Sequence, residues 1–326
     1  MTEESPKSTR ALLLNWGRRL LVVAVLLGAA WAIYRDWDRV WATISTIPWE
    51  ATVASELAAL AAVFVAVFAW RVLVNGLGKP LSVLRAAQVN LVGILGKYIP
   101  GSVWAYLLQI ELGRKAGLSR SRVFVATIIG VGTGMLAAVL YAASTFGPLS
   151  AKIGWIWYLT PLLPIGLIAA CPPVLTRLVN LLLKLLRRPP LEQSLRWSMV
   201  GKSIGLQLLA FACYGLHLWI LAQSVGATPG FIGFLLCTAA ISIGFNAGIL
   251  AFVVPSGIGI REAVIVAILI ASMPYSQAFA FAIVSRVMLV VADLLGAGIA
   301  AITAKRWAPI DSTENPAATL DAHESG

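Results

Sequence analysis

Apolar residues run through this chain in long unbroken blocks, and polar residues gather between the blocks. Continuous runs occupy about residues 20–34, 50–74, 123–146, 153–171, 203–225 and 277–303. A helix needs ~20 apolar residues to cross ~30 Å of hydrocarbon, whereas a transmembrane barrel shows ~10-residue alternating segments. The pattern therefore predicts an all-α polytopic membrane protein with six full spans. Two further apolar stretches, 81–113 and 230–272, are interrupted. The first breaks at Lys97-Tyr98-Ile99-Pro100-Gly101-Ser102, the second at Pro255-Ser256-Gly257-Ile258-Gly259. Each is expected to form a re-entrant broken hairpin. The arm 230–253 is long enough to cross, so counting re-entrant arms as crossings gives eight spans.

Residues 172–202 follow a different pattern. Pro172 and Pro173 stop the preceding run, after which Leu175, Leu178, Leu182, Leu185 and Leu186 share a helical face with Arg177, Lys184, Arg187 and Arg188 among them. Such a segment lies on the membrane surface as a basic amphipathic connector, ended by Pro189 and Pro190. The N-terminal tail, 1–15, leads into the basic residues Arg18 and Arg19 and the first apolar run. That start resembles a signal sequence, but the many spans behind it favour a retained first helix. Residues 306–326 carry charge and proline without apolar periodicity and are expected to be disordered. The membrane domain is thus read as 16–305, with related halves at about 50–147 and 203–303.

Composition agrees. Of 326 residues, 59% are hydrophobic and 12% charged, and the mean hydropathy is +0.86; a soluble chain carries about 25% charged residues. The net charge of +11 comes from Lys and Arg at the ends of apolar runs, where they set topology. No basic-aromatic motif points to nucleic acid. Cys171, Cys213 and Cys237 lie in apolar segments without metal-site spacing and read as small packing residues. Basic residues at the N-terminus, at Lys79 and Arg85, at Arg114, Lys115, Arg120 and Arg122, in the connector, and at Lys305 and Arg306 all fall on one side if both termini are cytoplasmic. The expected location is a cytoplasmic (cell) membrane. In that arrangement the first hairpin enters from the cytoplasmic side and the second from outside.

A shift of 155 residues aligns the two interrupted stretches without a gap: Gly93-Ile94-Leu95 falls on Gly248-Ile249-Leu250, and Pro100 on Pro255. Three full spans separate them, so the second copy is inverted. Inverted repeats with broken segments at matching positions are the pattern of alternating-access transporters. Broken helices expose backbone polar groups, which are tolerated at membrane depth only where they line a cavity or bind a ligand. Simple kinking of packed helices by Pro and Gly is the plainer alternative.

Several ionisable residues lie inside apolar segments: Glu56, Lys97, Glu111, His217, Arg261, Glu262, Arg286 and Asp293. A charge near the midplane costs at least ~2.5–3.5 kcal/mol on insertion scales, so each needs a partner or water. One reading is a polar cavity in which Lys97, Arg261 and Arg286 meet a phosphate-bearing headgroup, with Glu262 and Asp293 as counter-charges. The other is that Arg286 pairs with Glu262 or Asp293 and only pins helices together. Glu56 and Glu111 read as interfacial, and His217 as a packing residue. Gly130-Val131-Gly132-Thr133-Gly134 lies within a span and reads as close helix packing. No metal cluster, nucleophile elbow or phosphate loop is present in the sequence, so neither cofactor nor enzymatic activity is expected.

Gly96-Lys97-Tyr98-Ile99-Pro100-Gly101-Ser102-Val103-Trp104, Pro255-Ser256-Gly257-Ile258-Gly259-Ile260-Arg261-Glu262 and Arg286 together resemble the lysylphosphatidylglycerol synthase transmembrane-region family, a flippase-like domain. The resemblance covers about 15–305, and the breaks and intramembrane charges together give Lys97, Tyr98, Pro100, Gly101, Pro255, Gly257, Gly259, Arg261, Glu262, Arg286 and Asp293 as the expected substrate-binding residues. In the full synthases this domain moves an aminoacylated phospholipid between leaflets, and a soluble domain makes that lipid. Only about twenty residues follow the last span here, so aminoacyl transfer does not carry over. The family often has a basic residue soon after the first Pro-Gly, where this chain has Trp104, Ala105 and Tyr106. The expected function is translocation of a phospholipid or a polyprenyl-phosphate-linked sugar. A membrane-embedded headgroup-modifying enzyme and an ion-coupled small-solute transporter are the alternatives. Membrane lipids are the expected partners, with a separate lipid-modifying or glycosyltransferase enzyme as a further candidate.

Overall fold

The computed structural model describes residues 37–98, 104–145, 161–185, 187–188, 190–191, 194–227, 230–251 and 257–304. The expected first span at 20–34, the tail 306–326, the first part of the 153–171 run and the motif positions Pro100, Gly101 and Pro255 lie outside the described residues. Within them the chain is all helical. In hydrocarbon a helix satisfies its backbone hydrogen bonds within itself, which the long apolar runs require.

We number the helices in chain order. α1 (Trp37–Ile44) is short and packs against the last helix. α2 (Trp49–Gly76) is the first described helix long enough to span, and α5 (Arg120–Ser144), α8 (Trp197–Ser224), α9 (Gly230–Leu250) and α11 (Tyr275–Ala304) are the others. The expected spans at 50–74, 123–146, 203–225 and 277–303 all correspond to one of these helices. α6 (Leu162–Ala170) and α7 (Pro172–Leu185) together have the length of a span but are bent by 83° at Cys171. Pro172 and Pro173 lack the amide hydrogens that would continue α6, so the chain turns there. α7 is the expected amphipathic connector, but it ends at Leu185 and α8 begins already at Trp197, so the helical part is shorter than 172–202. Val179 and Leu183 are buried against the body, while Leu178, Leu181 and Leu185 are exposed.

The first interrupted stretch folds back on itself. Its entering arm runs through α3 (Val83–Ala87), a π turn (Gln88–Val92) and a 3₁₀ turn (Leu95–Tyr98), and its returning arm is α4 (Trp104–Lys115). Glycine lets the arms touch: a Cβ on Gly96 would sit 2.6 Å from the Ala105 backbone, and one on Gly93 would sit 2.9 Å from that of Gln109. The second interrupted stretch pairs α9 with α10 (Ile260–Leu269). There Gly257 has a φ of +63°, and a Cβ on it would come within 2.4 Å of Gly248. At one end of the bundle, the Arg122 guanidinium donates to the Val74 carbonyl at 2.8 and 2.9 Å and also to that of Lys79. It thereby clamps the last turn of α2 to the loop that follows it.

The centre is formed by α2 and α8, which pack along each other and against α9, α5 and α11. Lipid is as apolar as the helix surfaces, so close van der Waals contact drives this packing. Ala58, Ala59 and Ala62 of α2 and Ala210 and Ala222 of α8 are buried, as is Gly215, whose missing Cβ makes room for Thr238.

Candidate functional site

A cavity of about 300 Å³ opens between the two broken hairpins. The first hairpin contributes Asn90, Ile94, Lys97, Tyr106 and Gln109, and the second contributes Phe245, Asn246, Ile249 and Arg261. Trp70 of α2, Thr127 and Gly130 of α5, and Gln207 and Tyr214 of α8 close the walls. Asn90 lies in the π turn of the first hairpin, a distortion that occurs often at functional sites.

Arg261 dominates this cavity. It stands in the first turn of α10, is only 6% exposed, and lays its guanidinium over the Phe245 ring at 3.7 Å from the ring centre. Its Nε and Nη2 are buried and hydrogen-bond to none of the described residues. A buried guanidinium stacked on an aromatic ring gains some cation–π attraction, but unsatisfied nitrogens remain costly. A phosphate would accept from them in the planar, bidentate geometry a guanidinium offers.

The remaining charges are paired. Glu262, also buried, accepts from the Gly259 amide through Oε2 at 2.6 Å and from Arg286 Nη1 through Oε1 at 3.2 Å. The first bond holds a carboxylate at the positive end of α10, where Gly259 has a φ of +84°. Asp293 receives Lys97 Nζ at 2.5 Å and the Tyr98 hydroxyl at 2.5 Å, both on the same oxygen. Each hairpin break is thus tied to α11, one through Asp293 and the other through Arg286. Lys97 and Arg261 line the cavity; Arg286, Glu262 and Asp293 stand behind it as an ionic frame.

His217 is fully buried and has both ring nitrogens engaged, Nδ1 with Ser55 Oγ at 2.7 Å and Nε2 with Ser285 Oγ at 3.0 Å. It joins α2, α8 and α11 as a packing residue. Glu111 is partly exposed and chelated by Arg114 at 2.7 Å, in keeping with an interfacial position. Glu56 is half-buried, and its Oε1 is buried without a hydrogen bond to any described residue. In the glycine run, a Cβ on Gly132 would meet nothing within 4 Å, while Gly130 and Gly134 line the cavity. The run also meets α8, where Thr133 Oγ1 lies 3.1 Å from Ser203 Oγ.

Asn90, Gln109, Gln207 and Asn246 were not singled out by the sequence, where attention fell on ionisable groups. Uncharged amides inside apolar runs are the signal that finds them. Three of them are held by hydrogen bonds: Trp70 Nε1 donates to Thr127 Oγ1 at 3.1 Å, and Thr127 donates to Gln109 Oε1 at 2.7 Å. Gln207 donates to the Gly130 carbonyl at 3.4 Å, and Asn246 to that of Ser242 at 2.8 Å. Among the described residues no group of His, Cys, Asp and Glu side chains converges on a metal position.

These features define a multi-pass α-helical membrane protein with a cavity between two broken hairpins, its wall mostly apolar and set with a few convergent polar groups. The chain belongs to the lysylphosphatidylglycerol synthase transmembrane-region family, whose model matches residues 19–296. No curated protein matches it.

Proposed function

We propose that this protein moves a phosphate-bearing lipid between the leaflets of a cell membrane, holding the headgroup in the cavity. The observation that carries the proposal is Arg261: a buried guanidinium on the cavity wall with two nitrogens lacking any described partner. Family membership supports a flippase-like role. An inverted repeat fits the element boundaries, because Arg120 and Tyr275, the first residues of α5 and α11, lie 155 positions apart. Ile94 and Ile249, at the same separation, line the cavity from the two hairpins. The distribution of basic residues supports an arrangement with both termini in the cytoplasm. The cargo lipid would come from a separate lipid-modifying or glycosyltransferase enzyme. Binding is favoured over bond-making because Glu262, Asp293 and His217, the acid–base candidates, are all engaged with other protein groups.

The test is lipid redistribution in vesicles containing purified protein. Arg261→Ala is expected to insert and fold but to lower the rate about tenfold, the effect of losing ~1.4 kcal/mol of phosphate contact. An unchanged rate would defeat the proposal. Appearance of headgroup-modified lipid would favour an enzyme, and sodium- or proton-driven solute uptake without lipid movement would favour a small-solute transporter.

A further inference from the structure

The walls of the cavity say more about the headgroup than that it carries phosphate. Four amide side chains, Asn90, Gln109, Gln207 and Asn246, face it alongside Tyr106 and Tyr214. The internal hydrogen bonds use only one end of three of these amides. Gln109 accepts through Oε1, which leaves its NH₂ group, while Gln207 and Asn246 donate, which leaves their carbonyl oxygens. The cavity therefore presents donors and acceptors side by side. A hydroxyl both donates and accepts, an ammonium only donates, and a carboxylate only accepts. Tyrosine adds an apolar ring with a polar tip, which suits the mixed C–H and O–H surface of a polyol.

Charge narrows the choice. Among the described residues lining the cavity none is acidic, and its two cations are Lys97 and Arg261. Lys97 is neutralised by Asp293. The balance suits one singly charged phosphodiester and gives no counter-charge to a cationic headgroup. The volume, about 300 Å³, suits a headgroup with the chains left outside.

Building on the lipid-translocation reading, we propose that the cavity selects a lipid with a single phosphodiester and a neutral, hydroxyl-rich headgroup, Arg261 taking the phosphate and the amides taking the hydroxyls. A glycerol or inositol phospholipid and a polyprenyl-phosphate-linked sugar share this chemistry.

The experiment separates binding from movement. Purified full-length protein in detergent is titrated with a fluorescent phosphatidylglycerol, and unlabelled competitors are added: phosphatidylinositol, a polyprenyl phosphosugar, phosphatidylserine, phosphatidylethanolamine and lysylphosphatidylglycerol. The hydroxylated competitors are expected to displace the probe at about tenfold lower concentration than those bearing an ammonium. Whichever of the phospholipid and the phosphosugar displaces better identifies the source. Equal displacement by all headgroups, or preference for the ammonium-bearing ones, would overturn the selectivity. The same lipids are then followed in vesicles. Headgroup-selective binding with no movement would overturn translocation while leaving the selectivity standing; movement without selectivity would do the reverse. Asn246→Leu and Gln207→Leu, checked for wild-type elution and melting, should each narrow the gap between hydroxylated and ammonium-bearing competitors. A gap unchanged in both variants would count against the amides.

Discussion

Tyr106 and Arg261 stand 155 positions apart and line one cavity from the two opposing hairpins. The second hairpin supplies a guanidinium where the first supplies a phenol. The second hairpin's side thus carries the cation without a counter-charge, while on the first hairpin's side Lys97 is paired with Asp293 and the rest is neutral and hydrogen-bonding.

Replacing the phenol should change that balance. Tyr106→Arg places a second guanidinium on the wall and should shift preference from phosphodiester to phosphomonoester lipids by about tenfold, ~1.4 kcal/mol. Competition binding in detergent measures it.

The ion pair between Lys97 and Asp293 should behave as a buried pair. Asp293→Asn leaves an ammonium uncompensated and should cost about 3 kcal/mol of stability, since breaking such a pair is far worse than removing it. Lys97→Met combined with Asp293→Asn should recover most of the loss. Thermal unfolding of the single and double variants in detergent gives the coupling.

Two glycines should respond in opposite directions. Gly257→Ala meets the Gly248 backbone and forces a side chain into a left-handed conformation; it should cost about 3 kcal/mol or more. Gly132→Ala meets nothing and sits in a helix, so it should gain up to about 1 kcal/mol from helix propensity. Melting temperatures check both.

His217 should matter for stability and little for movement of lipid. His217→Ala leaves Ser55 and Ser285 without their shared partner and should cost about 2–3 kcal/mol. Translocation per folded molecule should stay close to wild type, because His217 does not line the cavity. Melting and vesicle assays on the same preparation separate the two effects.

Much of the bundle is legible in the sequence because lipid imposes one rule on every span. Trp49–Gly76 and Tyr275–Ala304 follow the apolar runs to within a few residues. The breaks are legible because Gly and Pro cluster there, and the ionisable residues because charge is rare in hydrocarbon. Pairing is less legible. Asp293 and Arg286 share a face of α11 seven residues apart, yet each takes a partner from a different hairpin. That choice depends on contacts across 195 and 24 residues. The helix Trp37–Ile44 is too short to register as a run. The amides lining the cavity carry no charge and stand in otherwise apolar stretches, so they give a weak signal until the walls are assembled.

The double attachment to α11 has a mechanical consequence. Asp293 hooks the first break and Arg286 the second, two turns or about 10 Å apart along one helix. That helix acts as a tie rod between the hairpins: while both links hold, neither break can swing outward without pulling on the other. Loosening one hook would therefore be felt at the far one.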